Sequence, residues 1–196
     1  QPERLARAVG PRARHDLEPT AGTLGGGLLE VVAGHMDNTG GTLTQTRSAA
    51  QAASIRSAGI FINQGGTLAS AGDLGLSLQG DHTLDGNLLA GGDLLLETTG
   101  HFTNPVQVQA GGSLRVNAQD LDNLASGELL SAQTTHLHVT GTFTNRGLVD
   151  GVDTRIEAGT VDNVGSGRIY GDRIAIAATH LLNRQDTQAA TLAGRL

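Results

Sequence analysis

Two histidines stand two positions apart, a spacing that can bind a metal ion. In a β-strand alternate side chains point to the same face, so His136 and His138 would lie side by side, flanking Leu137. Imidazole nitrogens are common zinc ligands, but protein zinc sites use at least three protein ligands. No third ligand accompanies this pair, so we predict two solvated histidines and no metal site.

Four aspartates recur at similar places in front of apolar segments, namely Asp73, Asp93, Asp153 and Asp172. Stacked in one column, these carboxylates could hold a cation or supply the acid and base of a polysaccharide lyase. A lyase surface would also need a basic and aromatic groove, and the chain has one Tyr and no Trp. We therefore predict that the aspartates make local turn hydrogen bonds, and that the chain has no catalytic or cofactor-binding residues.

A repeat of about 20 residues determines which elements carry these side chains. Its signature is an apolar residue, one free position and an asparagine, and the last five asparagines are separated by 19, 22, 18 and 20 residues. A repeat of this length is typical of a solenoid, in which each unit buries its apolar side only against its neighbours.

Apolar residues alternate within each repeat, which indicates strands rather than helices. Leu114, Val116 and Ala118 precede one asparagine at the same offsets as Ile174, Ile176 and Ala178 precede another. The repeat leaves no room for helical crossovers between parallel strands. The sequence therefore predicts an all-β fold, a right-handed parallel β-helix of seven to eight coils.

Stacked coils would place equivalent residues in two columns. The apolar column holds all three phenylalanines of the chain, and the asparagine column would form a chain of amide hydrogen bonds. We expect both columns to be architectural. Their predicted members, two from each repeat, are Met36, Asn38, Phe61, Asn63, Phe102, Asn104, Leu121, Asn123, Phe143, Asn145, Val161, Asn163, Leu181 and Asn183.

Composition restricts the partners of this chain. Gly accounts for 29 of 196 residues and aromatic residues for 2%, so the predicted interior is thin and aliphatic. There is no cysteine, and hence no disulfide or thiolate metal site. A net charge of -6, with Arg as the sole basic residue type, argues against nucleic-acid binding. No apolar run approaches the ~20 residues of a membrane span.

Three segments are expected along the chain. Residues 1–27 do not fit the repeat and are interpreted as a leader or linker, with possible helical turns over Pro2–Val9. Residues 28–183 form the β-helix, and residues 184–196 begin a further coil or a frayed tail. Within the β-helix, the Ala-rich Ala49–Ala53 suggests a looped-out or helical excursion, and Asp85 or Gly86 is expected to replace a missing asparagine.

The repeats resemble those of filamentous haemagglutinin. The resemblance rests on residues 104–123 and 163–183 and extends over about residues 28–183. Such repeats belong to large bacterial exoproteins of two-partner secretion, including adhesins and the stick proteins of contact-dependent growth inhibition. The resemblance implies a right-handed parallel β-helix, export by an outer-membrane transporter of the two-partner type, and a location at the cell surface or in the medium.

Three functions remain open at this point. The first is a structural surface rod of a secreted exoprotein, adhesin or growth-inhibition effector, that projects receptor-binding or toxin domains. The second is direct recognition of a receptor or glycan by the lateral face. The third is a carbohydrate-active β-helix enzyme.

Overall fold

The structure is a computed structural model that describes the backbone of residues 6–8 and, in full, residues 22–186. This part of the chain contains strands and turns and no helix. The strands are β1 (Ala6–Ala8), β2 (Thr23–Gly26), β3 (Leu29–Ala33), β4 (Met36–Asp37), β5 (Thr42–Gln45), β6 (Ala53–Ser57), β7 (Phe61–Ile62), β8 (Thr67–Ser70), β9 (Leu74–Leu78), β10 (His82–Thr83), β11 (Asn87–Ala90), β12 (Leu94–Thr98), β13 (His101–Asn104), β14 (Gln107–Ala110), β15 (Leu114–Ala118), β16 (Asp120–Asn123), β17 (Glu128–Ser131), β18 (Thr134–Asn145), β19 (Leu148–Asp150), β20 (Asp153–Val164), β21 (Arg168–Ile169) and β22 (Arg173–Arg184).

The strands form three faces around one axis. The long-strand face runs β1-β3-β6-β9-β12-β15, and the asparagine face contains β4, β7, β10, β13 and β16. The long strands β18, β20 and β22 turn the corner between these two faces and join the long-strand face to β10, β13 and β16 in a twelve-stranded sheet, while β4 and β7 form a separate two-stranded sheet. The short-strand face is a separate eight-stranded sheet, β2-β5-β8-β11-β14-β17-β19-β21.

Every strand pairs in parallel with its counterpart about one coil away. Leu94, for example, lies in register with Leu74 in the preceding coil and with Leu114 in the following one. The chain is therefore a parallel β-helix of about eight coils, which confirms the predicted fold class. Its right-handedness stays a prediction.

The core is a thin column of inward-pointing side chains. In β12 the burial alternates along the strand, with Leu94 and Leu96 buried and Leu95 and Glu97 exposed. The short-strand face contributes Leu88 and Val108 from the opposite side. Each buried leucine contributes about 1.5–3 kcal/mol through loss of contact with water, so the alternation holds each strand in its register.

The Ala-rich segment forms a loop followed by a strand, so its helical interpretation is wrong. Ala53 begins β6, which pairs with β3 and β9, and the residues between β5 and β6 leave the coil as a loop. The buried Gln45 organises this loop by donating from Nε2 to the carbonyls of Arg47 and Gln51, both at 3.3 Å. A short alanine run cannot offset the cost of helix nucleation when strand pairing is available on both sides.

The first residues also differ from expectation. Ala6–Ala8 forms a strand paired with β3, so the predicted helical turns are wrong at these positions. Thr23–Gly26, inside the predicted leader, pairs with β5 as part of the short-strand face. The other predictions for residues 1–5, 9–21 and 187–196 lie outside the described residues.

Candidate functional site

The asparagines of the repeat form a chain of side-chain hydrogen bonds. The chain has two runs, in which Nδ2 of one asparagine donates to Oδ1 of the next. The first run is Asn38 to Asn63, over 2.7 Å, and no such bond joins Asn63 to Asn104. Four further steps, each of 2.9 Å, run in order through Asn104, Asn123, Asn145, Asn163 and Asn183. The column lies at the end of the asparagine face, where the chain turns toward the short-strand face. Five of the seven amides are fully buried: Asn38, Asn63, Asn104, Asn123 and Asn145.

The apolar column lies two residues before the asparagines on the same face. Strand register places Met36 against Phe61, and then Phe102, Leu121, Phe143, Val161 and Leu181 in succession. All are buried except Leu181, whose exposed fraction is 58%. Leu181 belongs to the last described coil and has a coil on one side only within the described range.

The coil between Asn63 and Asn104 carries other residue types at both column positions, and the sequence did not reveal which residues these are. His82 pairs with Phe102 and Thr83 with Thr103, so the same register places Leu84 opposite Asn104. The buried Leu84 thus holds the asparagine position, and the prediction that Asp85 or Gly86 holds it is wrong. Asp85 has a different role, since its carboxylate accepts the N–H of Asn63 at 3.2 Å.

Two of the four predicted aspartates bind backbone N–H groups of the next coil, and not groups of their own turn as predicted. Asp73 Oδ1 accepts the N–H of Asp93 at 2.8 Å, and Asp93 Oδ1 accepts the N–H of Ser113 at 2.7 Å. Asp153 shares their register position and pairs through both carboxylate oxygens with Arg173, at 2.6 and 2.8 Å. Arg173 holds this position in the last described coil, so the placement of Asp172 in the column is wrong.

These carboxylates explain the glycine that precedes each capped residue. A Cβ on Gly92 would collide with the carboxylate of Asp73, and a Cβ on Gly112 would collide with that of Asp93. The carboxylate fills the space where a side chain would begin. Each of these glycines is therefore small because the aspartate of the preceding coil contacts it.

We predict that Gly112→Ala lowers the free energy of unfolding by about 2 kcal/mol, because the methyl group displaces the Asp93 carboxylate from the Ser113 N–H. Gly75→Ala is the matched control, since its Cβ would meet only the Ala53 carbonyl oxygen at 3.7 Å. Denaturant unfolding of both variants measures the difference. Equal stability of the two variants would contradict this assignment.

A second carboxylate column lies on the asparagine face and was missed by sequence analysis. Asp81 accepts the N–H of His101 at 2.8 Å, and Asp120 accepts the N–H of Thr142 at 2.7 Å. Gly100 precedes the first capped residue and a second glycine precedes the other, again because a Cβ would meet the carboxylate. An aspartate followed about 20 residues later by a glycine is the sequence signal that identifies both columns.

The two histidines contact one carboxylate on the long-strand face. His138 Nδ1 lies 3.2 Å and His136 Nε2 lies 3.6 Å from the carboxylate oxygens of Glu157. Glu157 is also bound by Arg155, which lies beside His136 in the neighbouring strand. Across the described ranges, no cluster of three or more His, Asp or Glu side chains is arranged to hold a metal ion.

The environment of His136 lowers its pKa. Burial is the main cause and the nearby Arg115 is the next, while Glu157 acts in the opposite direction. The neutral form is therefore favoured in the folded chain, whereas the unfolded chain protonates at the ordinary value. The contribution of His136 to stability is complete above the unfolded pKa and is lost as the pH falls through that value toward the folded pKa.

We predict that the His136→Gln variant loses less stability than the wild type when the pH is lowered from about 7.5 to about 5.5. This pH range lies above the one in which ordinary carboxylates titrate. The control is His180→Gln at an exposed position of β22. Thermal unfolding at the two pH values gives the change in stability for the wild type and for each variant. The interpretation fails if wild type and His136→Gln lose stability equally.

A shallow groove of about 470 Å³ lies at the corner between the short-strand and long-strand faces in the last described coils. Tyr170, Val152 and Ile174 form its apolar part and are about half exposed. Asp150 and Asp172 supply carboxylates at its edge. An aromatic ring can stack on a sugar, and carboxylates beside it can accept hydrogen bonds from the sugar hydroxyls.

Comparison with known proteins identifies one family. The model of the haemagglutinin repeat family matches residues 12–60, 48–104 and 109–196. No curated protein and no solved structure matches the chain. Over the described residues, no helix is long and apolar enough to cross a membrane.

Proposed function

Because this chain belongs to the haemagglutinin repeat family, we propose that it is a rod-like segment of a secreted bacterial exoprotein, either an adhesin or an effector of contact-dependent growth inhibition. The rod projects receptor-binding or toxin domains away from the cell. Its role is mechanical and requires no catalysis.

The observation that carries this proposal is the in-register stacking of one coil on the next. Strand pairing, the asparagine column and the apolar column all run parallel to the axis. Each added coil lengthens the stack by about 4.8 Å, the spacing of paired strands, without changing its cross-section. The described aspartates of the predicted column support a structural role, because they cap backbone N–H groups or pair with arginine.

Coil duplication tests the rod directly. Residues 94–113 span one full coil, since Leu94 and Leu114 are register partners. Inserting three more copies of this segment is expected to lengthen the particle by about 14 Å at constant cross-section. Small-angle X-ray scattering measures both dimensions. A particle that widens instead of lengthening would contradict the proposal.

We further propose export through an outer-membrane transporter of the two-partner type, which places the protein at the cell surface or in the medium. The family relationship supports this location. Antibodies against this chain should label intact cells of the producing bacterium or detect the protein in the medium. Detection only after lysis would contradict export.

Direct recognition of a glycan by the lateral face is a second candidate, favoured by the groove at Tyr170. Its aromatic ring, apolar walls and two carboxylates suit a neutral or amino sugar. Glycan-array binding that is lost in Tyr170→Ala but kept in Val32→Ala, a change at another exposed apolar residue, would support this function. Equal array profiles of the two variants would count against it.

A further inference from the structure

The asparagine face is interrupted at one junction between coils. Strands β4 and β7 form a separate two-stranded sheet, whereas β10, β13 and β16 belong to the twelve-stranded sheet. Within the described residues, no strand pairing joins β7 to β10. The other two faces continue across the same junction through the β6–β9 and β8–β11 pairs.

A side-chain contact replaces a backbone hydrogen bond at this break. Asn38 N–H donates to the carbonyl of Ile62 at 2.9 Å, and Leu84 N–H donates to the carbonyl of Thr103 at 2.9 Å. Asn63 holds the same column position between them, but its N–H donates to the Asp85 carboxylate at 3.2 Å. A carboxylate on a rotatable side chain constrains the next coil less than a backbone carbonyl does.

The asparagine column is broken at the same place. Leu84 cannot accept a hydrogen bond, and the buried Nδ2 of Asn63 finds no acceptor among the described residues. Elsewhere in the column Nδ2 reaches the amide of the next coil, as between Asn123 and Asn145 at 2.9 Å. The junction therefore lacks the side-chain amide hydrogen bond that links coils elsewhere on this face, and it keeps a buried donor unsatisfied. One backbone hydrogen bond crosses its edge, from the N–H of Gly65 to the carbonyl of Asp85 at 3.1 Å.

The apolar column is also weakened here. His82 is its member in this coil and is only partly buried. The Phe61 ring meets the imidazole edge-on, with ring centres 6.2 Å apart. Three independent contacts between coils are thus reduced at one junction.

We propose that the junction between residues 61–64 and residues 82–86 is a hinge of the β-helix. The asparagine face opens reversibly at this junction while the other two faces stay paired, so the stack bends away from the open face. This inference concerns the local mechanics of the chain and does not depend on the proposed export or adhesion.

Amide hydrogen exchange measured by NMR on the full chain tests the hinge. After correction for intrinsic rates, Asn63 N–H is expected to exchange at least about tenfold faster than Leu84 N–H, because one unsatisfied hydrogen bond corresponds to about that factor. Both amides hold the same column position in consecutive coils, and their hydrogen bonds lie on opposite sides of the coil that contains Leu84. An equal or slower rate at Asn63 would overturn the proposal.

The variant Leu84→Asn restores the missing acceptor. Exchange at Asn63 is then expected to slow by about tenfold, while rates on the short-strand face stay unchanged. Leu84→Met keeps an apolar side chain at this position and should leave the rate at Asn63 as it is. If Leu84→Asn folds and Asn63 exchanges as in the wild type, the broken column does not create the hinge. The wild-type comparison decides the proposal by itself if that variant does not fold.

Discussion

Replacing Asn145 with leucine is expected to lower the free energy of unfolding by about 3 kcal/mol, because two neighbours in the column lose their partner. Asn123 Nδ2 donates to Asn145 Oδ1, and Asn145 Nδ2 donates to Asn163 Oδ1, both at 2.9 Å. Asn145 also donates to the carbonyl of Arg168 at 3.2 Å. Leucine has a similar volume but leaves Asn163 Oδ1 without its donor and removes one of the two acceptors of the buried Asn123 Nδ2, which keeps only the carbonyl of Leu148 at 3.1 Å.

The control for this change is Asn87→Leu, at an exposed position of β11 on the short-strand face. It makes the same chemical substitution outside the column and should alter stability by less than about 0.5 kcal/mol. Urea denaturation of the two variants gives both values. Similar midpoints would mean that the amide chain contributes nothing to stacking.

Replacing Phe102 with alanine is expected to cost about 4 kcal/mol, because the side chain is fully buried in the apolar column. Its ring lies between His82 and Leu121 in the neighbouring coils. The thin interior is bounded by the three faces and cannot collapse without breaking strand pairing. The cavity therefore persists.

The matched change is Phe102→Leu, which places in this coil the residue that Leu121 supplies in the next one. It should cost about 1 kcal/mol, since most of the volume is kept. Calorimetry of both variants measures the gap between them. A small effect of Phe102→Ala would show that the column is not a close-packed interior.

The sequence predicted the repeating architecture because the same residue types recur at a nearly constant interval. Asn104, Asn123 and Asn145 are far apart in the chain, yet a period of about 20 residues brings them into one column. Alternation within each repeat identified the strands, as for Leu114 and Val116. Period and alternation together define a parallel β-helix and its inward face.

Corner details escaped prediction because corners differ in length by one or two residues. Asp172 stands beside Arg173, and a shift of one residue decides which of them pairs with Asp153. The period cannot detect such a shift, because strand register resumes correctly on the far side of the corner. Capping by Asp81 was missed because its partner is a backbone N–H, so the sequence signal is the glycine at position 100 and not a polar partner side chain.

The replacement at Leu84 was missed because it breaks the rule by which the column was found. A motif search expects an amide there and turns to the nearest polar candidate, Asp85, whereas the strand register places the apolar neighbour inward. The break in the column is also where the asparagine face loses its pairing. Departures from the repeat thus mark the places where the rod differs mechanically from a uniform stack.

Spin-label distances along one outward column test the stacking of coils most directly. Strand register places three exposed residues of the short-strand face in one column, Thr23, Asn87 and Arg168. Asn87 lies four coils from Arg168, and Thr23 lies seven coils from it. The chain has no cysteine, so paired cysteine substitutions can be labelled selectively. Pulsed electron spin resonance should give a label separation of about 19 Å for the double variant Asn87→Cys and Arg168→Cys. For Thr23→Cys and Arg168→Cys it should give about 34 Å, so that the distance grows by the same amount with each coil. Distances that do not grow in proportion to the number of coils would contradict the stacked β-helix.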